Sequence, residues 1–188
     1  MSKKRLLLHS CCGPCSTACI ERLVDDFDIT VFYYNPCIND QEEYEKRKDN
    51  QIKFINEYNE KLSHEKGKIL FVEGKYDPEN FISLTGGYEE EPEGGARCGI
   101  CFRQRLNEAG RYASENGFDC FTTTLTVSPH KNYDLISAIG QEVAENYNCE
   151  YMAFNFKKKD GFKRSTELSK EYGLYRQDYC GCEYSKRV

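Results

Sequence analysis

Cysteine dominates the chemistry open to this sequence. Eleven cysteines stand at positions 11, 12, 15, 19, 37, 98, 101, 120, 149, 180 and 182 of 188 residues, grouped in part as Cys-Cys-Gly-Pro-Cys, Cys-Gly-Ile-Cys and Cys-Gly-Cys. An odd number in tight clusters fits metal ligation or redox catalysis better than a disulfide framework. The opening Met-Ser-Lys-Lys-Arg and the short apolar run Leu6 to Leu8 do not make a signal peptide, and no run approaches a membrane span. A cytoplasmic protein with reduced thiols and no membrane partner is therefore expected.

Cys98 and Cys101 have the i, i+3 spacing that puts two side chains on one face of a helix, and unpaired N–H groups at its N-terminus favour their thiolates. Cys11 and Cys12, on a tight turn, can supply two more ligands, a four-thiolate set suited to zinc or to an iron–sulfur cluster. Spacing alone does not choose between those metals. Cys12-Gly-Pro-Cys15 also reads as a thioredoxin-type pair, so dithiol–disulfide exchange is a rival. A disulfide between Cys180 and Cys182 needs a strained bend, which Gly181 can supply; such a pair would cycle during turnover, and the other reading makes both metal ligands or free thiols. Cys19, Cys120 and Cys149 read as core packing, while Cys15 and Cys37 stay undecided. His9 and His130 stand at strand ends, where they can bind metal, donate a proton or serve as hydrogen-bonded structural groups; His64 reads as surface.

The elements that must position these groups alternate. Residues 4 to 9 read as a buried strand, and Pro14 suits the first turn of a helix running to about Asp26. Ile29 to Tyr34 is a second strand, and Asp40 with Glu43 suggests a capping box for a helix to about Leu62. A strand at Ile69 to Val72, a short helix near Pro78 to Leu84 and a turn-rich acidic loop from Gly86 to Gly95 follow. Then come a helix from about Cys98 to Asn116, a strand from Phe118 to Val127, a helix from about Tyr133 to Tyr147 and a strand from Tyr151 to Phe156. The expectation is one α/β domain over residues 1–188, a mainly parallel sheet with helices on both faces and sites beyond the carboxyl ends of its strands.

Taken together, Leu8-His9-Ser10-Cys11-Cys12-Gly13-Pro14-Cys15, Tyr33-Tyr34-Asn35-Pro36, Arg97-Cys98-Gly99-Ile100-Cys101-Phe102, Phe121-Thr122-Thr123-Thr124-Leu125 with Ser128-Pro129, and Gln177-Asp178-Tyr179-Cys180-Gly181-Cys182 resemble epoxyqueuosine reductases of the QueH type. The resemblance spans nearly the whole chain. It implies an adenine-nucleotide α-hydrolase-like (Rossmann-like) fold and the last step of queuosine synthesis, reduction of the epoxide of epoxyqueuosine at the wobble position of tRNA anticodons. It also implies a [4Fe–4S] cluster without cobalamin, with Cys11, Cys12, Cys98 and Cys101 as ligands and Cys180 with Cys182 as a redox pair. The family more often carries Asn at the position of Cys37, so no role for that thiol is inherited. The Ser-x-Gly-x-Asp-Ser phosphate loop of ATP-using relatives of the fold is replaced by cysteines, and ATP hydrolysis is not expected.

On that reading an additional iron at Cys15 would act as Lewis acid on the epoxide oxygen, and Tyr34, His9 or Asp178 would supply a proton. The electron donor is not specified. The net charge of −5 excludes a wholly basic coat, so RNA must be held locally. Lys157 to Lys159 with Lys163 and Arg164 in one loop, and Arg97, Arg103 and Arg105 around the second cysteine pair, are the candidate phosphate contacts. Tyr34 and Arg97 are also candidate substrate-binding residues, and Tyr33, Tyr34 and Phe162 are candidate stacking partners for splayed bases. A zinc-stabilised RNA-binding module and a thioredoxin-like oxidoreductase are the alternatives.

Overall fold

The computed structural model describes residues 3–63 and 67–186; His64 lies outside them. In chain order the elements are β1 (Lys4–Ser10), α1 (Gly13–Leu23), β2 (Phe27–Tyr33), α2 (Gln41–Lys61), β3 (Leu70–Glu73), α3 (Pro78–Thr85), α4 (Ala96–Glu115), β4 (Cys120–Thr123), α5 (Tyr133–Tyr147), β5 (Glu150–Tyr151) and α6 (Gly161–Glu171). Short 3-10 turns occupy Thr124–Val127 and Glu183–Ser185. The strands form one sheet in the order β3-β2-β1-β4-β5, and every pairing is parallel.

Alternation along the central strand sorts the core into two layers, because successive strand side chains point to opposite faces. Leu6 and Leu8 join Ala18, Ile20, Phe54 and Leu168 from α1, α2 and α6. Leu7 joins Phe102, Leu106, Ala109, Ile136 and Val143 from α4 and α5 on the other face. The chain runs outward from β1 to β2 and β3, then returns to place β4 on the other side of β1. Strand order reverses there, and that is where a crevice opens beyond the strand ends.

Three expectations change. The strand expected over 118–127 lasts only from Cys120 to Thr123, because Thr123 Oγ1 accepts from Leu125 N at 3.1 Å and turns the backbone into a 3-10 helix. The strand expected over 151–156 pairs only through Tyr151. Beyond it Met152 N makes the last backbone bond, to Phe121 O at 2.9 Å, and the Thr122 and Thr126 hydroxyls bond the carbonyls of Met152 and Phe154 where the ladder stops. Lys163 and Arg164 are not in the lysine loop but on α6, a helix that the sequence reading did not include. Asp40 does cap α2, accepting from Glu42 N and Glu43 N, while the Glu43 carboxylate turns to Arg47 and Tyr175.

Candidate metal and redox site

The first cysteine group is built by the end of β1 and the start of α1. Cys12 holds extended backbone as the N-cap and Pro14 opens the helix, which sets Cys15 one turn beyond Cys12. The Sγ atoms of Cys11, Cys12 and Cys15 lie within 4.8 Å of one another. Gln177 Nε2 donates to Cys12 Sγ at 3.0 Å, and Thr124 Oγ1, just past β4, is 3.9 Å from Cys11 Sγ. Hydrogen bonds from Cys12 and Cys15, with Lys131 and Arg105 nearby, pull the Cys11 thiol well below its ordinary range despite burial. Donating those bonds pushes Cys12 up to about 12 and raises Cys15 as well. Negative charge therefore gathers on Cys11.

The second group sits in the first turns of α4. Gly94 N donates to Cys98 Sγ at 3.2 Å. Buried Cys101 meets Cys37, whose thiol is lowered to about 6 by the hydrogen bond from Cys101 and by the Arg105 and Arg47 charges. Arg105, one turn along α4 from Cys101, donates through Nη2 to Cys37 Sγ. Only 1% of Arg105 is exposed, and its Nε and Nη1 find no hydrogen-bond partner among the described residues. Cys101, Cys37, Cys180 and Cys11 all act on its charge, so the cysteine groups converge around one buried cation.

The third group is the Cys180-Gly-Cys182 loop. Gly181 has φ +139°, a region that favours glycine, and a Cβ there would stand 2.9 Å from Ile38 Cγ1. Buried Arg47 pins the loop, donating to the carbonyls of Cys180 at 2.9 Å and Tyr179 at 3.3 Å while Glu43 accepts from its Nε at 2.6 Å. Cys180 and Cys182 are free thiols, and with Cys37, Cys98 and Cys101 they line a cavity of about 60 Å³. A larger space of about 320 Å³ is lined by Cys11, Cys15, Cys180, Phe162 and Arg176, among others. Cys180, His130 and Lys131 belong to both walls.

Of the expected ligands, Cys11 and Cys12 stand together, but Cys15 rather than Cys98 or Cys101 completes their close trio; Cys98 and Cys101 face the smaller cavity. Tyr34, expected at the substrate, is 6% exposed, stacks on Phe32 at 5.8 Å and lines neither cavity. Tyr33 is fully buried too, which leaves Phe162 as the exposed member of the stacking candidates. Arg97 lines the smaller cavity but is buried, and its Nη1 donates to the carbonyls of Tyr88, Glu89 and Glu91. It organises the acidic loop, and neither it nor Arg105 is open to phosphates; Arg103 is exposed and paired with Glu142.

His9 is a structural histidine: buried, bonded to Thr123 Oγ1 and Tyr34 O, with burial lowering its pKa to about 4. It is neutral near pH 7. Cys19, Cys120 and Cys149 pack in the core as expected. Sequence reading missed Lys131, Arg47 and Gln177 and the burial of Arg105. Only position could have flagged Lys131, beside the Ser128-Pro129 turn.

A family model described as epoxyqueuosine reductase QueH matches residues 6–188. An epoxyqueuosine reductase QueH from Streptococcus pyogenes serotype M1 is 42% identical over 183 residues, covering 97% of this chain and 71% of that protein. The one from Staphylococcus epidermidis is 40% identical over 185 residues, covering 97% and 76%. That from Thermotoga maritima is 33% identical over 183 residues, covering 96% and 89%.

Proposed function

We propose that this chain, which belongs to the epoxyqueuosine reductase QueH family, is an oxidoreductase of tRNA modification that reduces the epoxide of epoxyqueuosine, using a thiolate-held metal centre beside the Cys180/Cys182 pair. The observation that carries the reading is the convergence of the three cysteine groups on two cavities that share Cys180, with Arg105 buried beside Cys37 and bonded to its Sγ. A buried guanidinium with unpaired donors is costly unless an anion meets it, and a cluster held by thiolates is anionic. The residues present therefore fit such a group, with Cys11, Cys12, Cys98 and Cys101 as its holders. When bound there a [4Fe–4S] cluster supplies one-electron transfer, and a further iron at Cys15 would supply a Lewis acid.

The remaining chemistry belongs to the chain. Converting the epoxide to an alkene takes up two electrons and two protons and releases the oxygen as water. Cys180 and Cys182 give up two electrons and two protons when an S–S bond forms between them, so one oxidation of the pair balances one turnover. An external donor then reduces the disulfide. Lys131 stays protonated because Cys180, Cys11 and Cys15 outweigh its burial, and with His130 it can donate a hydrogen bond to the epoxide oxygen. His9 cannot take that part: both ring nitrogens are engaged within the core.

The thioredoxin-like alternative needs an accessible attacking thiol, whereas Cys12 is fully buried and its thiol is raised. Anaerobic purification tests the rest. The proposal expects brown protein with about four iron and four sulfide per chain from the cluster, and about one iron more when the Cys15 site is filled. It also expects conversion of epoxyqueuosine in tRNA, read by mass spectrometry of the nucleosides. Colourless protein holding one zinc and inactive on that tRNA would favour the RNA-binding module instead.

A further inference from the structure

We propose that Phe162, braced by Arg176, is a stacking shelf for a base of the substrate's anticodon loop at the mouth of the larger cavity; this rests on the reading of tRNA as substrate. Phe162 keeps 43% of its surface open and lines the same space as Cys11, Cys15 and Cys180. An exposed phenylalanine alone means little. What distinguishes this one is the turn that presents it.

Lys159 and Asp160 have φ of 55° and 56°, left-handed values that cost a non-glycine residue energy and persist only where surroundings impose them. Arg22 imposes them by donating to the carbonyls of Phe156, Lys158 and Lys159 at 3.3, 2.9 and 2.7 Å. Gly161 is the next constraint, because a Cβ there would come within 1.7 Å of Phe156 O. Phe162 follows in the first turn of α6. The Arg176 guanidinium lies 5.6 Å from its ring centroid and is itself fixed by a bond to Ser169 Oγ at 3.1 Å. The turn thus holds an aromatic ring at the entrance to the cysteines.

The charge around the ring selects the partner. Lys158, Lys159 and Lys163 are exposed on the same turn and helix, and Lys131 and Arg176 stand on the cavity wall. Glu93 and Asp178 also line that wall, so phosphates belong on the outer lysines while a base enters. An aromatic platform bordered by cations is how single-stranded RNA is held: bases stack on the ring and the backbone follows the charge.

The chain contains no tryptophan, so Phe162→Trp installs a single indole reporter. Titrating that variant with a synthetic anticodon stem-loop should quench its emission while leaving affinity near wild type. Phe162→Ala should weaken stem-loop binding by about 5- to 150-fold, the usual range for losing one stacked base. On modified tRNA its KM should rise by about tenfold with kcat within about twofold, the signature of lost binding. Phe162→Leu, apolar but without a π-face, should behave like Ala, which guards against a general loss of packing. An unquenched indole, or Ala and Leu variants that bind like wild type, would overturn the shelf. Binding needs no turnover, so the two readings fail separately. Quenching and weakened binding in a protein unable to reduce epoxyqueuosine would sink the reaction and keep the shelf. Normal reduction and unchanged KM in Phe162→Ala would do the reverse.

Discussion

Arg105 buries a positive charge with two of its nitrogens unpaired, and of the four thiols that act on it, it bonds only Cys37. A merely structural arginine would be expected to satisfy its donors, as Arg47 does with Glu43 and two carbonyls. Arg105→Met separates the possibilities. Exchanging a buried ion pair for uncharged groups is often neutral or stabilising by about 1–4 kcal/mol, and Cys37, left without its cation, becomes neutral by taking up a proton. Metal-free Arg105→Met should therefore resist denaturant at least as well as wild type, yet retain several-fold less iron after anaerobic reconstitution. Lower metal-free stability with full iron retention would make Arg105 a packing residue. Cys180→Ser should leave the cluster's visible absorbance intact while multiple turnover disappears; sustained turnover would remove the dithiol from the reaction. At this scale the cysteine groups were legible because spacing and type suffice to mark them. Arg105 and Lys131 were not, because a cation in sequence carries no mark of whether it ends in water or beside buried thiols.

The long helices announced themselves through apolar period and caps, and α2 and α5 lie close to where those signals put them. The failures share a cause. Thr123 spends its hydroxyl on the local Leu125 N and Thr126 on the distant Phe154 carbonyl, so a β-branched run that looks like strand becomes a 3-10 turn. In α6 the inward face is Gly161, Ser165, Leu168 and Ser169, small residues with one leucine among them against a strongly charged outer face, so the helix is amphipathic in sequence although its apolar content is low. What fixes α6 is packing against α1 and the Arg22 bonds, which are tertiary facts. Gly161 is the position where this element is most exposed to change. Because Ala would collide with Phe156 O, the turn must shift, and overpacking of this kind costs about 1–3 kcal/mol. Calorimetry on Gly161→Ala should show a melting temperature lower by about 2–4 °C for each kcal/mol lost. A variant melting with wild type would mean that the turn yields freely, and the rigid presentation of Phe162 would lose its support.

Across the whole molecule, the reversal of strand order beside β1 brings the end of β1, the turn after β4, the start of α4 and the 180–182 loop to one side. That convergence follows from α/β topology, which is why the location of the site was legible while the pairing of Cys101 with Cys37 was not. The charge distribution is the other global property. With a net charge of −5, long-range attraction for RNA is absent and the phosphates must find a local footing. Arg164 does not offer one, since Glu21 holds it through two bonds, and Lys157 Nζ is turned to Lys131 O. Of the five basic residues from Lys157 to Arg164, Lys158, Lys159 and Lys163 are left as the exposed ones. Each phosphate contact contributes about −0.7 to −0.9 to the slope of log affinity against log salt, so a footing of three lysines gives a slope of only about −2 to −3. Lys158→Glu and Lys163→Glu should each flatten that slope by about one contact's worth, while Phe162→Ala should lower affinity at every salt concentration and leave the slope alone. Affinity measured against potassium chloride for the three variants checks this directly. A slope near zero in the wild type, or one that charge reversal does not change, would move the RNA to another face of the protein and leave the lysines to the solvent.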